Sequence, residues 1–417
     1  MDKKPEKLVP EVRFKGFTDD WEQHKLGEIS ERILRKNSDL QSLLPLTISA
    51  QDGLVDQTIY FNKQVASKQL KNYLLLYNGD FAYNKSYSVG YPYGAIKRLD
   101  KYKQGVLSTL YIAFKPTNIN SDFLQHYYDT DKWYREIYRN AAEGARNHGL
   151  LNISANDFFN SKLITPSDND EQLKIAKIIN VFNRLITLQQ RKLKQLKRLK
   201  TAMLQQLFVE KNSKLPILRF KNFNGDWKQC KLGELVESLF QGINTAADKV
   251  EYSNNGLPII QAKNITSGSL DFSGSRKLSV QKYSNYLDKY IPQKGDILFA
   301  NIGTIGPNVI LKDTRQFFIA WNILRIVPQK NINGEFLKIT LDLLNSKHYF
   351  EKLLTGNATK FVNKNDMRNL PIFFSDPEEQ NKISNLFKKL DFLITLQQNK
   401  LTQLSTLKKY LLQKMFI

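Results

Sequence analysis

The chain of 417 residues is longer than a single hydrophobic core usually supports, so two or three domains are expected. Its 62 lysines and arginines against 40 acidic residues give a net charge of +22, which makes a polyanion the first partner to consider, although an acidic protein or a membrane surface would also attract it. The hydrophobic content of 41% excludes global disorder, and the absence of an apolar run of transmembrane length predicts no membrane-spanning helix.

The first residues and the cysteine content bear on the cellular compartment. MDKKPEKLVPEVRF, at the N-terminus, lacks the apolar core of a signal peptide. The single cysteine, Cys230, can form neither an internal disulfide nor a cysteine-based metal cluster. We therefore expect a soluble cytoplasmic protein.

A phrase near the start of the chain returns in its second half. RFKGFTDDWEQHKLGEI (13–29) is matched by RFKNFNGDWKQCKLGEL (219–235), with eleven of seventeen positions identical. NRLITLQQRKLKQLKRLKTAMLQQLF (183–208) returns as DFLITLQQNKLTQLSTLKKYLLQKMF (391–416), with 15 of 26 positions identical. Repeats of this kind indicate two tandem halves, each a variable body followed by a closing segment.

Each body has the pattern of mixed α and β structure. Short β-rich runs such as GDFAYNKS (79–86) and GDILFANIG (295–303) alternate with turn residues, and helical stretches follow around 122–140 and 335–354. The paired Gly-Asp dipeptides indicate one shared framework, whereas the sequences after them diverge. We predict an α+β fold with a first domain over 1–166, a central helix over 167–208, a linker over 209–217, a second domain over 218–375 and a C-terminal helix over 376–417.

Each closing segment predicts one long helix. In both segments the apolar residues step by 4, 3, 3, 5, 3, 3, 4 and 4 positions, which is the spacing of a helical stripe. Two equal helices with matching stripes are expected to pair as an antiparallel coiled coil, because the chain must cross a whole body between them. The alternative is two unrelated helices, each packed on its own domain.

Several short signatures of enzymes that act on nucleic acids are missing. No glycine precedes a lysine, which removes a P-loop, and the chain contains no Gly-x-Gly, no Pro-Pro and no Glu-x-Lys. The four histidines are scattered, without the spacing of metal ligands. We expect no catalytic residue, no cofactor and no metal. A self-contained nuclease or DNA-modifying enzyme with an unrecognised site is the alternative, and a coiled-coil scaffold without a nucleic-acid role is the third.

The RFK.F…DW…KLGE phrases, the Gly-Asp strands and the LITLQQ helices together resemble the specificity subunit of type I restriction–modification systems, over nearly the whole chain. The resemblance implies two target-recognition domains, each reading one half of a bipartite double-stranded DNA target, with the helices acting as a ruler. It also implies a subunit that does no chemistry and docks two modification (methyltransferase) subunits, with restriction subunits in the larger complex. Because the two interiors differ, the target is expected to be asymmetric.

Aromatic, amide and basic residues interleave in the first body around two glycines, in a stretch that suits contact with DNA. Lysine and arginine can neutralise phosphates, and asparagine and arginine can bind base edges. The alternative is a hairpin with half-buried tyrosines and solvated lysines. The predicted contacts are Asn84, Lys85, Tyr87, Tyr91, Tyr93, Lys97 and Arg98, followed in a second loop by Arg139, Arg146, Asn147 and His148.

The second body offers a similar set of polar residues. Those at the place that matches the second loop of the first body strengthen the interpretation, while turn formation is the alternative, since asparagine and glycine are common in turns. The predicted contacts are Lys263, Asn264, Asn301, Thr304, Asn308, Asn357, Thr359, Lys360, Asn363 and Lys364. Trp21 and Trp227 are predicted to belong to the framework core.

Overall fold

Two compact units make up the protein. The computed structural model describes residues 8–63, 70–141, 146–147, 150–209, 213–266, 268–356 and 359–417, with the backbone alone at 146, 147 and 150. One unit comprises Met1–Gln190 with Asn399–Ile417, and the other comprises Arg191–Gln398. Within these described ranges, no helix combines the length and the apolar character needed to cross a membrane.

The first body, the part of the first unit that precedes the first long helix, is built from short strands and helices. Its strands are β1 (Glu22–Lys25), β2 (Ser30–Arg32), β3 (Pro45–Ser49), β4 (Gly53–Asp56), β5 (Leu74–Tyr77), β6 (Phe81–Asn84), β7 (Ala95–Arg98), β8 (Gln104–Leu107), β9 (Ile112–Pro116), β10 (Arg146–Asn147), β11 (Leu150–Leu151) and β12 (Lys162–Thr165). Its helices are α1 (Leu26–Ile29), α2 (Gln57–Phe61), α3 (Ser121–Tyr128), α4 (Tyr134–Asn140) and α5 (Ala155–Phe159), and α6 (Asn169–Gln206) follows.

Two four-stranded sheets organise the first body. One is antiparallel with the order β2-β9-β6-β7, and in it Phe81 lies opposite both Arg98 and Phe114. The other has the order β4-β3-β8-β5, in which β3 and β8 run parallel. A separate pair, β1 with β12, joins the start of the body to its end, with Lys25 opposite Lys162.

The second body, between the two long helices, contains its own set of short elements. Its strands are β13 (Lys228–Lys231), β14 (Val236–Gln241), β15 (Leu257–Ile260), β16 (Ile265–Thr266), β17 (Ser269–Leu270), β18 (Lys277–Leu278), β19 (Ile297–Ala300), β20 (Asn308–Ile310), β21 (Phe318–Ile319), β22 (Ile323–Pro328) and β23 (Pro371–Phe374). Its helices are α7 (Leu232–Leu235), α8 (Leu287–Tyr290), α9 (Gly334–Ser346) and α10 (Lys364–Arg368), and α11 (Pro377–Lys414) follows.

The second body repeats the topology of the first. Its antiparallel sheet has the order β14-β22-β19-β20, its mixed sheet has the order β18-β15-β21 with β15 parallel to β21, and β13 pairs with β23. The repeated sequence therefore encodes one architecture twice, and the predicted α+β fold with an internal repeat is confirmed.

The two closing segments form α6 and α11, each 38 residues long. In the first unit, Ile175 of α6 shares a hydrophobic core with Phe416, directly after α11. In the second unit, Leu204 near the end of α6 shares a core with Phe387 near the start of α11. The start of one helix meets the end of the other in each unit, which is the antiparallel pairing that the sequence predicts.

The repeated phrase is tied to the start of the long helix in each unit by a buried ion pair. Arg13 donates from Nε and Nη2 to the two carboxylate oxygens of Glu171, at 2.7 and 2.8 Å. Arg219 makes the same bidentate contact with Glu379, at 2.7 and 2.9 Å, and Trp227 Nε1 donates to that carboxylate as well, at 3.1 Å. Both glutamates are 1% exposed. Because a buried carboxylate needs a partner, each pair fixes the phrase to its helix.

Other identical residues of the phrase also have matching roles. The Leu26 amide donates to the Ser161 carbonyl, and the Leu232 amide donates to the Leu370 carbonyl, both at 2.9 Å. A Cβ atom added to Gly233 would lie 3.2 Å from the Arg368 carbonyl oxygen, so glycine permits the close packing of α7 on α10. Trp21 and Trp227 are 2% and 3% exposed, which confirms their predicted place in the framework core.

Removing one partner of the buried pair should destabilise the second unit strongly. Arg219→Met leaves the Glu379 carboxylate buried without its cation, and we expect a loss of about 3–5 kcal/mol in the free energy of unfolding, measured by urea denaturation. The double variant Arg219→Met/Glu379→Gln removes both charges and keeps an acceptor for Trp227, so it should recover much of that loss. Equal losses in the single and double variants would contradict this account.

A glycine after β6 is required by a close backbone approach. Gly94 has φ +82°, and a Cβ atom added there would lie 2.0 Å from the Asn84 carbonyl oxygen. Gly90, in the same loop, has φ +83° but no atom within 4 Å of an added Cβ. Substitution of Gly90 therefore tests only the cost of the positive φ angle, whereas substitution of Gly94 also tests the steric conflict with Asn84.

Gly94→Ala should destabilise the first body more than Gly90→Ala. The second variant carries only the cost of a left-handed backbone conformation, about 1–2 kcal/mol, whereas the first must also separate β6 from β7. Urea unfolding of the two variants side by side measures the difference. Equal destabilisation would show that the close approach to Asn84 has no energetic weight.

Candidate nucleic-acid interface

In the first body, the loop after β6 contacts the segment that directly follows the second predicted contact stretch. The Leu151 amide donates to the Lys85 carbonyl at 3.1 Å, and Lys85 Nζ donates to the Ile153 carbonyl at 3.2 Å. Asn84 accepts a hydrogen bond from the Ser86 amide at 3.0 Å and so shapes the start of the loop. The loop over 84–94 and the segment over 150–153 therefore form one surface, which we name the first contact edge.

The second body has an equivalent backbone hydrogen bond directly after β19. The Val362 amide donates to the Asn301 carbonyl at 2.9 Å, and Asn301 Nδ2 donates back to the Val362 carbonyl at 3.1 Å. The Gly303 amide also donates to the Lys360 carbonyl at 3.0 Å. We name this surface, formed by 301–306 and 359–364, the second contact edge.

The Gly-Asp dipeptides hold the strands that lead to these edges. The Asp80 carboxylate accepts from the Tyr77 amide at 2.7 Å and pairs with Arg35. The Asp296 carboxylate accepts from the Gln293 amide and from Arg325 Nε, both at 2.6 Å. Burial raises the pKa of both carboxyl groups, while their hydrogen bonds and arginine partners act in the opposite direction.

Seven of the predicted contact residues have exposed side chains. Arg139 also pairs with Glu136 at 2.9 Å, while Tyr91 and Tyr93 are half-buried, the Tyr93 ring lying 5.1 Å from that of Tyr134. A partner molecule can reach the exposed residues without any change in the fold. They are Tyr87, Arg139, Lys263, Thr304, Thr359, Lys360 and Lys364.

Besides Arg139, two basic residues of the predicted set have acidic partners within the first body. Lys97 lies 2.9 Å from Asp129, and Arg98 lies 2.6 Å from Asp122 and 2.7 Å from Asp100. Burial opposes the charge on Asp129, but the neighbouring His126 and Lys97 outweigh it and lower the pKa of that carboxyl to about 2. These contacts give Lys97 and Arg98 a role in the fold.

Four asparagines of the second body are engaged internally. Asn264 and Asn301 are 5% and 2% exposed, and Asn264 Nδ2 donates to the Asp271 carbonyl at 2.8 Å. Asn308, also 2% exposed, donates to Asp342 at 2.9 Å. Asn363 accepts from the Asp366 amide at 2.8 Å and caps α10. Internal hydrogen bonds therefore occupy these four side chains.

Four predicted contacts lie partly or wholly outside the described residues. Arg146 and Asn147 form β10, which pairs with β11, and their backbone alone is described. His148 and Asn357 fall outside the described ranges.

A turn that the sequence prediction did not include borders each contact edge. These turns are Ser108–Tyr111 in the first body and Ala320–Ile323 in the second, each closed by a hydrogen bond from the last amide to the first carbonyl, at 3.2 and 2.9 Å. The Asn301 amide donates to the Asn322 carbonyl at 3.3 Å, which joins the turn to the second contact edge. Asn322 Oδ1 also accepts from the Ala262 amide at 3.1 Å, so Lys263 is held beside the same turn.

The exposed side chains of the contact edges are of the kinds that bind nucleic acids. They offer ammonium groups, hydroxyls and an aromatic ring, which are the groups that contact phosphates and bases in protein–DNA complexes. Among the residues that the structure describes, no three His, Cys, Asp or Glu side chains are grouped so that they could hold a metal ion.

A family model and a curated protein that match this chain both describe type I restriction specificity proteins. Residues 224–406 match the family model described as the type I restriction modification DNA specificity domain. The type I restriction enzyme MjaVIII specificity subunit of Methanocaldococcus jannaschii is 23% identical over 415 residues, covering 94% of this chain and 91% of that protein.

Solved structures of low sequence identity share the fold. The type I restriction–modification system S subunit from M. genitalium is 13% identical, with a TM-score of 0.59 over 98% of this chain and 99% of that one. A chain from a structure on complex assembly and conformational transition of the type I R-M system is 18% identical, with a TM-score of 0.56 over 99% of both chains. With its duplicated framework and paired helices, this chain resembles type I restriction–modification specificity subunits over nearly its whole length, and its residues 224–406 match their DNA specificity domain.

Proposed function

We propose that this chain reads a bipartite, asymmetric double-stranded DNA target and directs partner subunits to methylate or cleave DNA. The observation that carries the proposal is a backbone hydrogen bond repeated in both bodies. It runs from the Leu151 amide to the Lys85 carbonyl in the first body and from the Val362 amide to the Asn301 carbonyl in the second. The same backbone frame presents different side chains in the two bodies. Each body, over 1–166 and 218–375, is then a target-recognition domain for one half-site.

The charges and exposures at the contact edges suggest three roles for their side chains: contact with phosphates, contact with sugars and bases, and internal support. Exposed Arg139, Lys263, Lys360 and Lys364 suit phosphates, and the net charge of +22 favours a polyanion over a neutral partner. Tyr87, Thr304 and Thr359 can reach sugars and base edges. The internally bonded residues, including Lys97, Arg98 and Asn301, hold these groups in position.

We also propose that two modification subunits dock on the helices, one on each unit. Exposed leucines recur at equivalent positions of α6 and α11, where a solvated helix would have polar residues. The first unit exposes Leu185, Leu188 and Leu407, and the second unit exposes Leu199, Leu393 and Leu396. Restriction subunits complete the larger cytoplasmic complex. The catalytic groups and their cofactors belong to those partners, so this chain acts without chemistry of its own.

Polar replacement of the leucines of one unit should remove one docked subunit. Leu393→Gln/Leu396→Gln keeps side-chain size and helix propensity but removes the apolar surface. Native mass spectrometry of the complex should then show one modification subunit in place of two. Lys389→Gln, an exposed position on the same helix, is the matched control and should keep both. Two subunits retained in the leucine variant would contradict the docking site.

The recognition function is tested by mapping methylated DNA. The chain expressed with its modification subunit, in a host without adenine methylation, should produce one bipartite asymmetric motif that disappears when the chain is omitted. Replacing residues 12–166 with the corresponding body of another specificity subunit should change one half of the motif and leave the other. Sequencing of native DNA for modified bases measures both results.

Two outcomes would overturn the proposal. Methylation or cleavage by the purified chain alone, given DNA, magnesium and S-adenosylmethionine, would favour a self-contained enzyme. A body exchange that alters both halves of the motif would show that the two domains do not read independently.

A further inference from the structure

The two turns that border the contact edges have the same place in the fold. Each turn directly precedes the strand that pairs with the Gly-Asp strand of its body: Tyr83 of β6 lies opposite Ile112 of β9, and Ala300 of β19 lies opposite Ile323 of β22. In an antiparallel pair, the end of one strand lies beside the beginning of the other. Both turns therefore stand beside the loop that follows β6 or β19.

Each turn exposes a large apolar side chain. Leu110 is 75% exposed, and Trp321 is 40% exposed. The other three tryptophans of the chain are 2–4% exposed, so burial is the rule for this residue type here. Trp321 therefore differs from the other tryptophans in leaving about two fifths of its surface open to a partner molecule.

The backbone of Trp321 is held in place. Its amide donates to the Ile243 carbonyl at 2.7 Å, and its carbonyl accepts from Gln241 Nε2. Gln241 Nε2 also donates to Asn301 Oδ1 at 3.0 Å, at the centre of the second contact edge. The Trp321 backbone is thus fixed next to the second contact edge, and Asn322 of the same turn bonds to Ala262, the residue before Lys263.

We propose that Leu110 and Trp321 are wedges that insert between neighbouring base pairs, each in the half-site read by its own body. The inference rests on the proposed function and adds a deformation of the DNA to it. Apolar side chains that enter a base step unstack it and kink the duplex, and pyrimidine–purine steps are the easiest to open. Because the indole is larger than the leucine side chain, the second half-site is deformed more than the first.

The wedges are tested with a fluorescent base in the target. The complex of this chain with its modification subunits is bound to duplexes that carry 2-aminopurine at successive positions of each half-site, since the fluorescence of this base increases when it is unstacked. The wild-type complex should brighten one step in each half. Trp321→Ala should abolish the signal in the second half only, and Leu110→Ala should abolish it in the first half only.

Affinity supplies an independent readout with a conservative control. Trp321→Ala should weaken binding to the specific target about tenfold or more, since stacking on an aromatic side chain contributes on this scale. The slope of affinity against salt concentration should not change, because no phosphate contact is removed. Trp321→Phe keeps an aromatic ring and should retain most of the affinity and the 2-aminopurine signal.

The outcomes separate the wedge from the recognition function. A wild-type complex that binds its bipartite target without any unstacked step, or an unstacking signal that survives Trp321→Ala and Leu110→Ala, overturns the wedges alone. A wild-type complex that prefers no bipartite target overturns the proposed function, and the wedges with it.

Discussion

A buried arginine–glutamate pair is the contact on which each unit of this protein depends. In each half, an arginine of the repeated phrase reaches the first turn of a long helix and holds a carboxylate that water barely touches. A bidentate pair of this kind fixes direction as well as distance. The following glutamine adds a second link, from Gln172 to the Pro166 carbonyl and from Gln380 to the Ser375 carbonyl. These contacts connect each body to the helix that follows it, so the strands of the two main sheets do not have to make that connection.

This separation of roles fits a protein that must keep its assembly while it reads different sequences. The residues of the repeated phrase that hold each body to its helix are mostly buried, and they bond to other repeated parts of the duplicated frame, such as Glu171 and Glu379. The exposed residues at the contact edges make few demands on the core, so they can vary at little cost in stability.

The sequence predicts the framework well and the contact residues less well, for a physical reason. Helix α6 and helix α11 begin and end within three residues of the predicted bounds. Nine apolar residues recur at helical spacing in each segment, and this pattern can be read from neighbouring residues alone. Asn301 and Asn308 look like contact residues in sequence, yet they bond to Val362 and Asp342, which lie 61 and 34 positions away along the chain. Conversely, Trp321 stands inside an apolar run that reads as a buried strand, and only the turn in that run reveals its exposure. Side-chain exposure depends on long-range packing, which periodicity does not report.

The two Gly-Asp strands carry a consequence for how such proteins change their targets. Each aspartate takes an arginine, but Asp80 takes Arg35 from the segment after β2, whereas Asp296 takes Arg325 from within β22. A genetic crossover between an aspartate and its arginine would bring in a partner from another body and could leave a buried charge unpaired. A crossover within the repeated phrase or within the long helices transfers each pair whole. Recombination between relatives should therefore leave few surviving junctions between an aspartate and its arginine, and junctions in the repeated segments should pass each recognition body on intact.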